Sequence, residues 1–233
     1  MSSTRTAFLQ GILAGSPFLI MALPFGMLFG AVGADSGLSV YQAMGMSVIV
    51  VAGAAQFSAL QVLVDGGPFY IAALTGLAVN MRMLMYSASL APHFSKATKW
   101  QRIFAAYIII DQTYGVAITE LEKKPDMPIG AKLAYFFGVA ALMFPLWYGS
   151  TFLGFMVGNQ IPASFAMDFA VPLMFISLVA PSLRSIAHLV AATVAVVVAL
   201  ALFWMPYSLW LMIAAIAAMI AGAETERQLE MRK

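Results

Sequence analysis

Long stretches of this sequence contain no Asp, Glu, Lys or Arg. They lie between Arg5 and Asp35, Asp35 and Asp65, Lys132 and Asp168, and Arg184 and Glu224. A membrane-spanning helix needs about 20 predominantly apolar residues, so each stretch can hold at least one crossing. The chain is 62% hydrophobic and 9% charged, with a mean hydropathy of +0.91. The sequence therefore predicts an all-α, polytopic membrane bundle of seven to eight spans, several of them broken by Pro or Gly.

The composition also excludes several classes of site. The sequence has no cysteine, which removes disulfides, thiol nucleophiles and Cys-ligated metals. Its histidines, His93 and His188, are too few for a multi-His metal site, so we expect no metal and no cofactor. The net charge of +2 gives no basic surface for nucleic acid. There is no P-loop, so the chain is not expected to use ATP itself.

The expected spans follow from the apolar stretches and their breaks. They are 13–33, 40–62, 68–91, 102–120, 132–157, 165–183, 186–204 and 206–223. Helix breakers interrupt the first span at Pro17 and Pro24, the third at Asn80–Arg82 and the sixth at Pro172 and Pro181. Freed backbone groups need protein or water partners inside a bilayer, so these segments are expected to face inward.

The basic residues favour a cytoplasmic N-terminus. With eight spans, the cytoplasmic side would hold Arg5, Lys123, Lys124, Lys132, Arg184, Arg227, Arg232 and Lys233. The basic turn with Lys96, Lys99 and Arg102 would then lie outside, which disagrees with the positive-inside rule. A bundle of seven spans is therefore the alternative. We expect one transporter domain over 1–233, with a cytoplasmic N-terminus at 1–12, spans over 13–223 and a cytoplasmic tail at 224–233.

A short internal similarity suggests a repeat. The segment 29–33, Phe-Gly-Ala-Val-Gly, resembles 153–158, Leu-Gly-Phe-Met-Val-Gly, in the fifth span. Two repeats of four spans would explain it, since many transporters are built from such repeats. Chance recurrence of small residues in membrane helices is the alternative.

Two apolar segments carry features of a binding site. Pro24, Phe25 and Gly26 lie in the first span, where a proline between short apolar arms favours a discontinuous helix that binds a ligand's charged ends. Gln56 and Phe57 lie in the second span, among small residues that leave volume for a cavity. The structural alternatives are a kinked packing helix and an interhelical hydrogen bond.

Arg82 and Asp111 carry the strongest signal, because charges inside a bilayer are costly and mark functional sites. Arg82 lies far from both ends of its span, with Tyr86 on the same helical face and Asn80 just before it. Asp111 is expected in the middle of its helix, either protonated or paired with Arg82. The alternatives are snorkelling of Arg82 and a purely structural pair. Asp168 is more simply a helix cap and His188 a packing residue.

In order along the chain, several segments resemble the AzlC family of bacterial inner-membrane proteins, the large subunit of branched-chain amino-acid exporters. The matching stretches are AGSPFLIMALPFGMLFG, GLSVYQAMGMSVIVVAGAAQFSALQVL, LTGLAVNMRMLMYSASLAPHF, IIIDQTYGV and DFAVPLMFISLVAPSL. The resemblance covers most of residues 14–184. It departs at Met83, where the family commonly has His after the Arg, and at Gln112, where it commonly has Glu after the Asp. These departures leave Asp111 as the better candidate for proton coupling.

The resemblance implies export of valine, leucine, isoleucine or a similar apolar amino acid such as methionine by secondary transport. It also implies a small AzlD-type partner subunit. Arg82 and the broken first helix would bind the substrate carboxylate, Asp111 and Gln56 its ammonium, and Phe25, Phe57 and Met83 its side chain. The candidate substrate-binding residues are Pro24, Phe25, Gly26, Gln56, Phe57, Asn80, Arg82 and Tyr86, and the coupling pair is Asp111 with Arg82. An intramembrane enzyme or a scaffold without transport activity is the alternative function.

Overall fold

The structure of the chain is a computed structural model that describes residues 4–158, 185–205 and 209–231 together with positions 176 and 183. Two compact units are present. The first combines Met1–Phe57 with Val79–Ile161, and the second combines Ser58–Ala78 with Pro162–Lys233. All the contacts of the candidate site described below lie within the first unit.

Helices account for most of the described residues. In chain order they are α1 Thr4–Gly15, α2 Leu19–Asp35, α3 Val40–Val50, α4 Gly53–Val64, α5 Phe69–Asn80, α6 Arg82–Leu90, α7 Lys99–Tyr107, α8 Asp111–Lys123, α9 Ile129–Gly158, α10 Ile186–Leu202 and α11 Leu209–Glu230. Among the described residues, four helical segments are long and apolar enough to cross a membrane: Thr4–Asp35, Phe69–Leu90, Ile129–Gly158 and Leu209–Glu230. The predicted polytopic helical membrane fold is confirmed.

Of the two prolines expected to interrupt the first span, Pro17 and Pro24, only Pro17 lies in an interruption of the α-helix. A 3-10 turn at Ser16–Phe18 separates α1 from α2 and places Pro17 at its start, where no amide donor is needed. Helix α2 continues through Pro24, which lies on its exposed side. The expected discontinuous helix at Pro24 is therefore wrong, because α2 stays helical on both sides of this proline.

The second span, expected to be continuous over 40–62, is broken. Helix α3 ends at Val51, which adopts the left-handed conformation with φ 47° and ψ 31°, and α4 begins at Gly53. A left-handed conformation is unusual for a β-branched residue and costs about 1–3 kcal/mol. Surrounding packing must hold Val51 in place, and such enforced backbone strain is typical of functional sites.

The fourth segment is also broken, between Tyr107 and Asp111. Residues 108–110 leave the helix, and the buried hydroxyl of Thr113 stabilises the break by accepting from the Ile110 amide at 2.9 Å and donating to the Ile108 carbonyl at 2.8 Å. The third segment is only locally irregular, since Met81 keeps helical dihedral angles between α5 and α6. The expected irregularity at Asn80–Arg82 is confirmed, and it is mild.

Helices α1 and α2 pack along α9 through glycine. A Cβ on Gly11 would overlap the Tyr135 carbonyl, one on Gly30 the Thr151 carbonyl, and one on Gly158 the backbone of Ala31. The residue numbers of the contacting positions increase in the same direction along α1–α2 and along α9, so these helices run parallel. The similar segments 29–33 and 153–158 therefore face each other, as two parallel first spans of a four-span repeat would.

The second unit contains α10 and α11, which pack on each other. Ser185 caps α10 by accepting from the His188 amide at 3.2 Å. Helix α11 continues through most of the predicted tail, to Glu230. The expected span 165–183, with Asp168, Pro172 and Pro181, lies outside the described residues.

Candidate functional site

The two complete helix breaks of the first unit lie next to each other. Val51, at the break between α3 and α4, belongs to a buried apolar cluster with Met143 and Phe144 of α9. Ile108 and Ile110, from the break between α7 and α8, pack against the same cluster. Non-helical backbone from two segments is therefore gathered beside α9, and its freed polar groups lie close together.

Side chains from other segments bind the carbonyl groups that α3 leaves open. The Asn80 side-chain amide donates to the Val50 carbonyl at 3.4 Å, and the Tyr107 hydroxyl donates to the Val48 carbonyl at 2.7 Å. Tyr148 in turn lies 3.0 Å from Tyr107 and donates to it, because the Tyr107 proton is already engaged. The C-terminus of α3 is thus capped from α5 and α7, and Tyr148 of α9 supports the Tyr107 cap.

Arg82 and Asp111 form an ion pair beside these breaks. Arg82 Nη2 lies 2.8 Å from Asp111 Oδ2, and the Tyr86 hydroxyl donates to Asp111 Oδ1 at 2.9 Å. Asp111 was expected in mid-helix, but it is the first residue of α8, where the helix dipole favours a carboxylate. The side chains of Arg82 and Asp111 are 31% and 40% exposed, so a ligand or another chain can reach the pair.

Aromatic rings extend the ion-pair group. The rings of Tyr86 and Tyr114 stack in parallel with centroids 4.2 Å apart, and the Tyr114 hydroxyl donates to Ser89 Oγ at 3.1 Å. This stack holds α6 against α8 and fixes the position of the hydroxyl that donates to Asp111. We refer to Arg82, Tyr86, Asp111 and Tyr114 as the ionic group.

Gln56 is completely buried and links three helices. Its Nε2 donates to Ser47 Oγ of α3 at 2.9 Å, and Ser47 donates to Thr151 Oγ1 of α9 at 3.3 Å. All three side chains are buried. The interhelical link that the sequence offered as an alternative is therefore present, but it uses only the amide nitrogen of Gln56.

An aromatic cluster covers the start of α4. Phe25 stacks on Trp147 with centroids 6.0 Å apart and meets Phe57 edge to face at 5.3 Å, and Phe29 meets Phe57 edge to face at 5.4 Å. The Phe25 ring lies so close to Gly53 that a Cβ there would overlap it. We call Phe25, Phe29, Phe57 and Trp147 the aromatic group.

Several buried polar atoms in this unit have no hydrogen-bond partner among the described residues. They are the acceptors Gln56 Oε1 and Asn80 Oδ1 and the donors Arg82 Nε and Trp147 Nε1. Such atoms are rare in native proteins and each calls for an explanation. Here both kinds, donors and acceptors, surround the helix breaks.

The predicted site residues fall into two sets. Phe25, Gln56 and Phe57 belong to the aromatic group and its surroundings, whereas Arg82, Tyr86 and Asp111 form the ionic group. Asn80 caps α3. Gly26 packs on Ser150 of α9, and Pro24 points away from both groups.

Ser47, Tyr107, Trp147 and Thr151 were not predicted from the sequence. Their contacts depend on where α3 and α7 end. Two runs of β-branched residues, 48–51 and 108–110, mark these ends, because β-branched side chains lose rotamer freedom in a helix. A similar run at 196–198 stays helical inside α10, so this signal alone would not have located the breaks.

Comparison with known proteins places this arrangement in a family. The AzlC protein family model matches residues 17–161, which contain both groups. An uncharacterized membrane protein of Helicobacter pylori is 28% identical over 234 residues, covering 99% of this chain and 98% of the relative. The inner membrane protein YgaZ of Escherichia coli K12 is 25% identical over 226 residues, covering 94% and 89%.

A third organism also has a similar protein. An uncharacterized membrane protein of Archaeoglobus fulgidus is 24% identical over 210 residues, covering 85% of this chain and 86% of the relative. No solved structure matches the chain. Since the family model covers more than half of the sequence, including every helix of the candidate site, the chain belongs to the AzlC family of membrane proteins.

Proposed function

We propose that this protein exports branched-chain or similar apolar amino acids across the bacterial inner membrane by secondary transport, together with a small AzlD-type subunit. The AzlC family is linked to branched-chain amino-acid transport. The observation that carries the proposal is the meeting of two broken helices, at 51–52 and 108–110, beside a partly exposed ion pair.

Broken helices suit a transporter because they present backbone groups inside the membrane. Secondary transporters commonly bind substrate and coupling ion where discontinuous helices meet, near the middle of the bilayer. Irregular backbone at that depth is tolerated only where protein or a water-filled cavity surrounds it. The side-chain caps on Val48 and Val50 supply part of that surrounding.

The aromatic group is the better candidate for the substrate side chain. Valine, leucine and isoleucine need an apolar surface of limited size, and Phe25, Phe29 and Phe57 provide one next to Gln56. The free Gln56 Oε1 can accept from a substrate ammonium without breaking the bond from Nε2 to Ser47. Substrate binding would therefore satisfy a buried acceptor at no cost to the interhelical link.

The ionic group is the better candidate for coupling. Asp111 accepts from both Arg82 and Tyr86, so its protonation would weaken both contacts at once. The pair is partly exposed, so a ligand or water can reach its atoms and replace either contact. In our proposal, proton binding at Asp111 releases Arg82 and Tyr86, and α6 and α8 change their packing around the helix breaks.

Efflux of radiolabelled valine, leucine and methionine tests the function. The assay uses cells whose own exporters are deleted, expressing this chain alone or with its small subunit, and each efflux is measured with and without a collapsed proton gradient. We expect gradient-dependent efflux of at least one of the three. If all three amino acids are retained in every arm, the transporter proposal is wrong and a scaffold becomes the better hypothesis.

A further inference from the structure

Trp147 stands out because its indole nitrogen is buried without a partner in the middle of α9. Its Nε1 has no hydrogen-bond acceptor among the described residues, although its ring is packed by stacking on Phe25. The other three tryptophans, Trp100, Trp204 and Trp210, lie at helix ends or exposed positions. A buried Trp N–H normally finds a partner, so the open donor at Trp147 indicates an acceptor that belongs to a ligand.

The surroundings of Trp147 define that ligand. The tip of its ring would lie 3.0 Å from a Cβ at Gly53, one helical turn before Gln56, whose Oε1 is also buried and unpartnered. The surroundings of the Phe25 ring therefore hold one open donor, on the Trp147 ring that stacks on it, and one open acceptor, on Gln56 next to the contacting Phe57. A zwitterionic amino acid has the complementary pair, a carboxylate that accepts and an ammonium that donates.

We propose that Trp147 Nε1 donates to the carboxylate of the transported amino acid while Gln56 Oε1 accepts from its ammonium. This inference rests on the proposed function and deepens it. Arg82, the cation of the ionic group, already donates to Asp111 through Nη2. Trp147 thus selects substrates that carry a carboxylate, and the Phe25 and Phe57 rings select their apolar side chains.

Trp147→Phe tests the assignment because it keeps an aromatic ring on Phe25 and removes the N–H together with one ring of the indole. The measurement is valine uptake into everted vesicles containing the full chain and its small subunit, with valine and valinol as competitors. Valinol keeps the ammonium and side chain but lacks the carboxylate. A hydrogen bond to a charged group contributes about tenfold or more to affinity. We expect the valine KM to rise about tenfold with Vmax within about twofold, while the inhibition constant of valinol is unchanged.

The matched control is Trp100→Phe, at an exposed position 71% accessible, which should leave both constants at the wild-type values. An unchanged valine KM in Trp147→Phe, in vesicles that do transport valine, overturns the role of Trp147 and leaves the proposed function standing. Equal weakening of valine and valinol also overturns it, because a role in packing alone would affect both.

A second measurement does not depend on transport. In the full chain with Trp100, Trp204 and Trp210 replaced by Phe, Trp147 is the single tryptophan, and its emission reports directly on the indole environment. We expect a saturable spectral change with valine and none with valinol at the same concentration. If valine leaves the emission unchanged, the inference is wrong. If valine changes the Trp147 emission but the cells show no efflux, the binding role of Trp147 stands and the proposed transport function is wrong.

Discussion

The hydroxyl of Tyr107 lies 2.7 Å from the carbonyl oxygen of Val48, so the last residue of α7 caps the end of α3. These two helices end where their segments are interrupted, and the hydrogen bond joins the two breaks directly. The hydroxyl of Tyr148 in α9 lies 3.0 Å from the Tyr107 hydroxyl and supports this contact. This hydrogen bond therefore adds to the apolar cluster of Val51, Ile108 and Ile110 in holding the two breaks together.

Tyr107→Phe should destabilise this junction. A net hydrogen bond contributes about 1 kcal/mol, which corresponds to a fall in the unfolding temperature of about 2–4 °C for a chain of this size. Thermal unfolding in detergent measures it. Tyr148→Phe, which removes only the supporting bond, should lower the unfolding temperature less. Tyr41→Phe, at a position 86% exposed, is the control and should leave it unchanged. A Tyr107→Phe protein as stable as the control would contradict the joining role.

Neutralising either residue of the Arg82–Asp111 pair should impair transport. Arg82→Gln and Asp111→Asn each leave one charge without its partner, and we expect at least a tenfold fall in valine efflux for either variant. The double variant Arg82→Gln/Asp111→Asn should not restore it, because the titratable group is gone. The control is Arg227→Gln, which breaks the exposed pair with Glu224 at 3.1 Å and should leave efflux unchanged. Normal efflux from Asp111→Asn would exclude this carboxylate from coupling.

The sequence predicted the site's charged residues better than its backbone. Arg82, Asp111 and Gln56 could be found because polar groups are rare in apolar helices, and that rarity is visible without a structure. The broken second and fourth segments were missed because apolar length favours a continuous helix, whereas the breaks depend on β-branched runs and on caps from Asn80 and Tyr107 that are distant in sequence. Pro24 was overvalued, since a proline ring on the exposed side of α2 does not interrupt it.

Gly53→Ala should impair substrate binding by displacing the aromatic group. A Cβ at Gly53 would overlap the Phe25 ring and lie 3.0 Å from Trp147 Cη2, so at least one ring must move. We expect a valine KM raised severalfold with normal amounts of protein in the membrane. Gly45→Ala, in α3 with nothing within 4 Å of the added methyl, is the matched control and should behave as wild type. An unchanged KM in Gly53→Ala would mean that the rings do not line the substrate site.

Gly30→Ala should destabilise the contact between α2 and α9, whereas Gly33→Ala on the same helix should be tolerated. The added methyl at Gly30 would overlap backbone atoms of Thr151 and Phe155, which cannot move away without separating the helices. At Gly33 it would meet Leu38 at 3.5 Å and Ala43 at 3.7 Å, ordinary packing distances. Overpacking of this kind costs about 1–3 kcal/mol. Thermal unfolding of the two variants in detergent compares them, and equal unfolding temperatures would contradict the close glycine packing.

The parallel course of α2 and α9 makes a prediction about topology that cysteine labelling can test, since the sequence has no cysteine of its own. Asp35 ends α2 and Asp126 lies just before α9, so parallel helices place them on opposite sides of the membrane. With eight spans and a cytoplasmic N-terminus, a membrane-impermeant maleimide should label Asp35→Cys and Ser95→Cys in intact cells, but Asp65→Cys and Asp126→Cys only after permeabilisation. Labelling of Asp35→Cys and Asp126→Cys from the same side would contradict the parallel packing. Protection of Ser95→Cys alone would instead place the basic turn with Lys96, Lys99 and Arg102 inside, and neither the segment before it nor the segment after it would then cross the membrane.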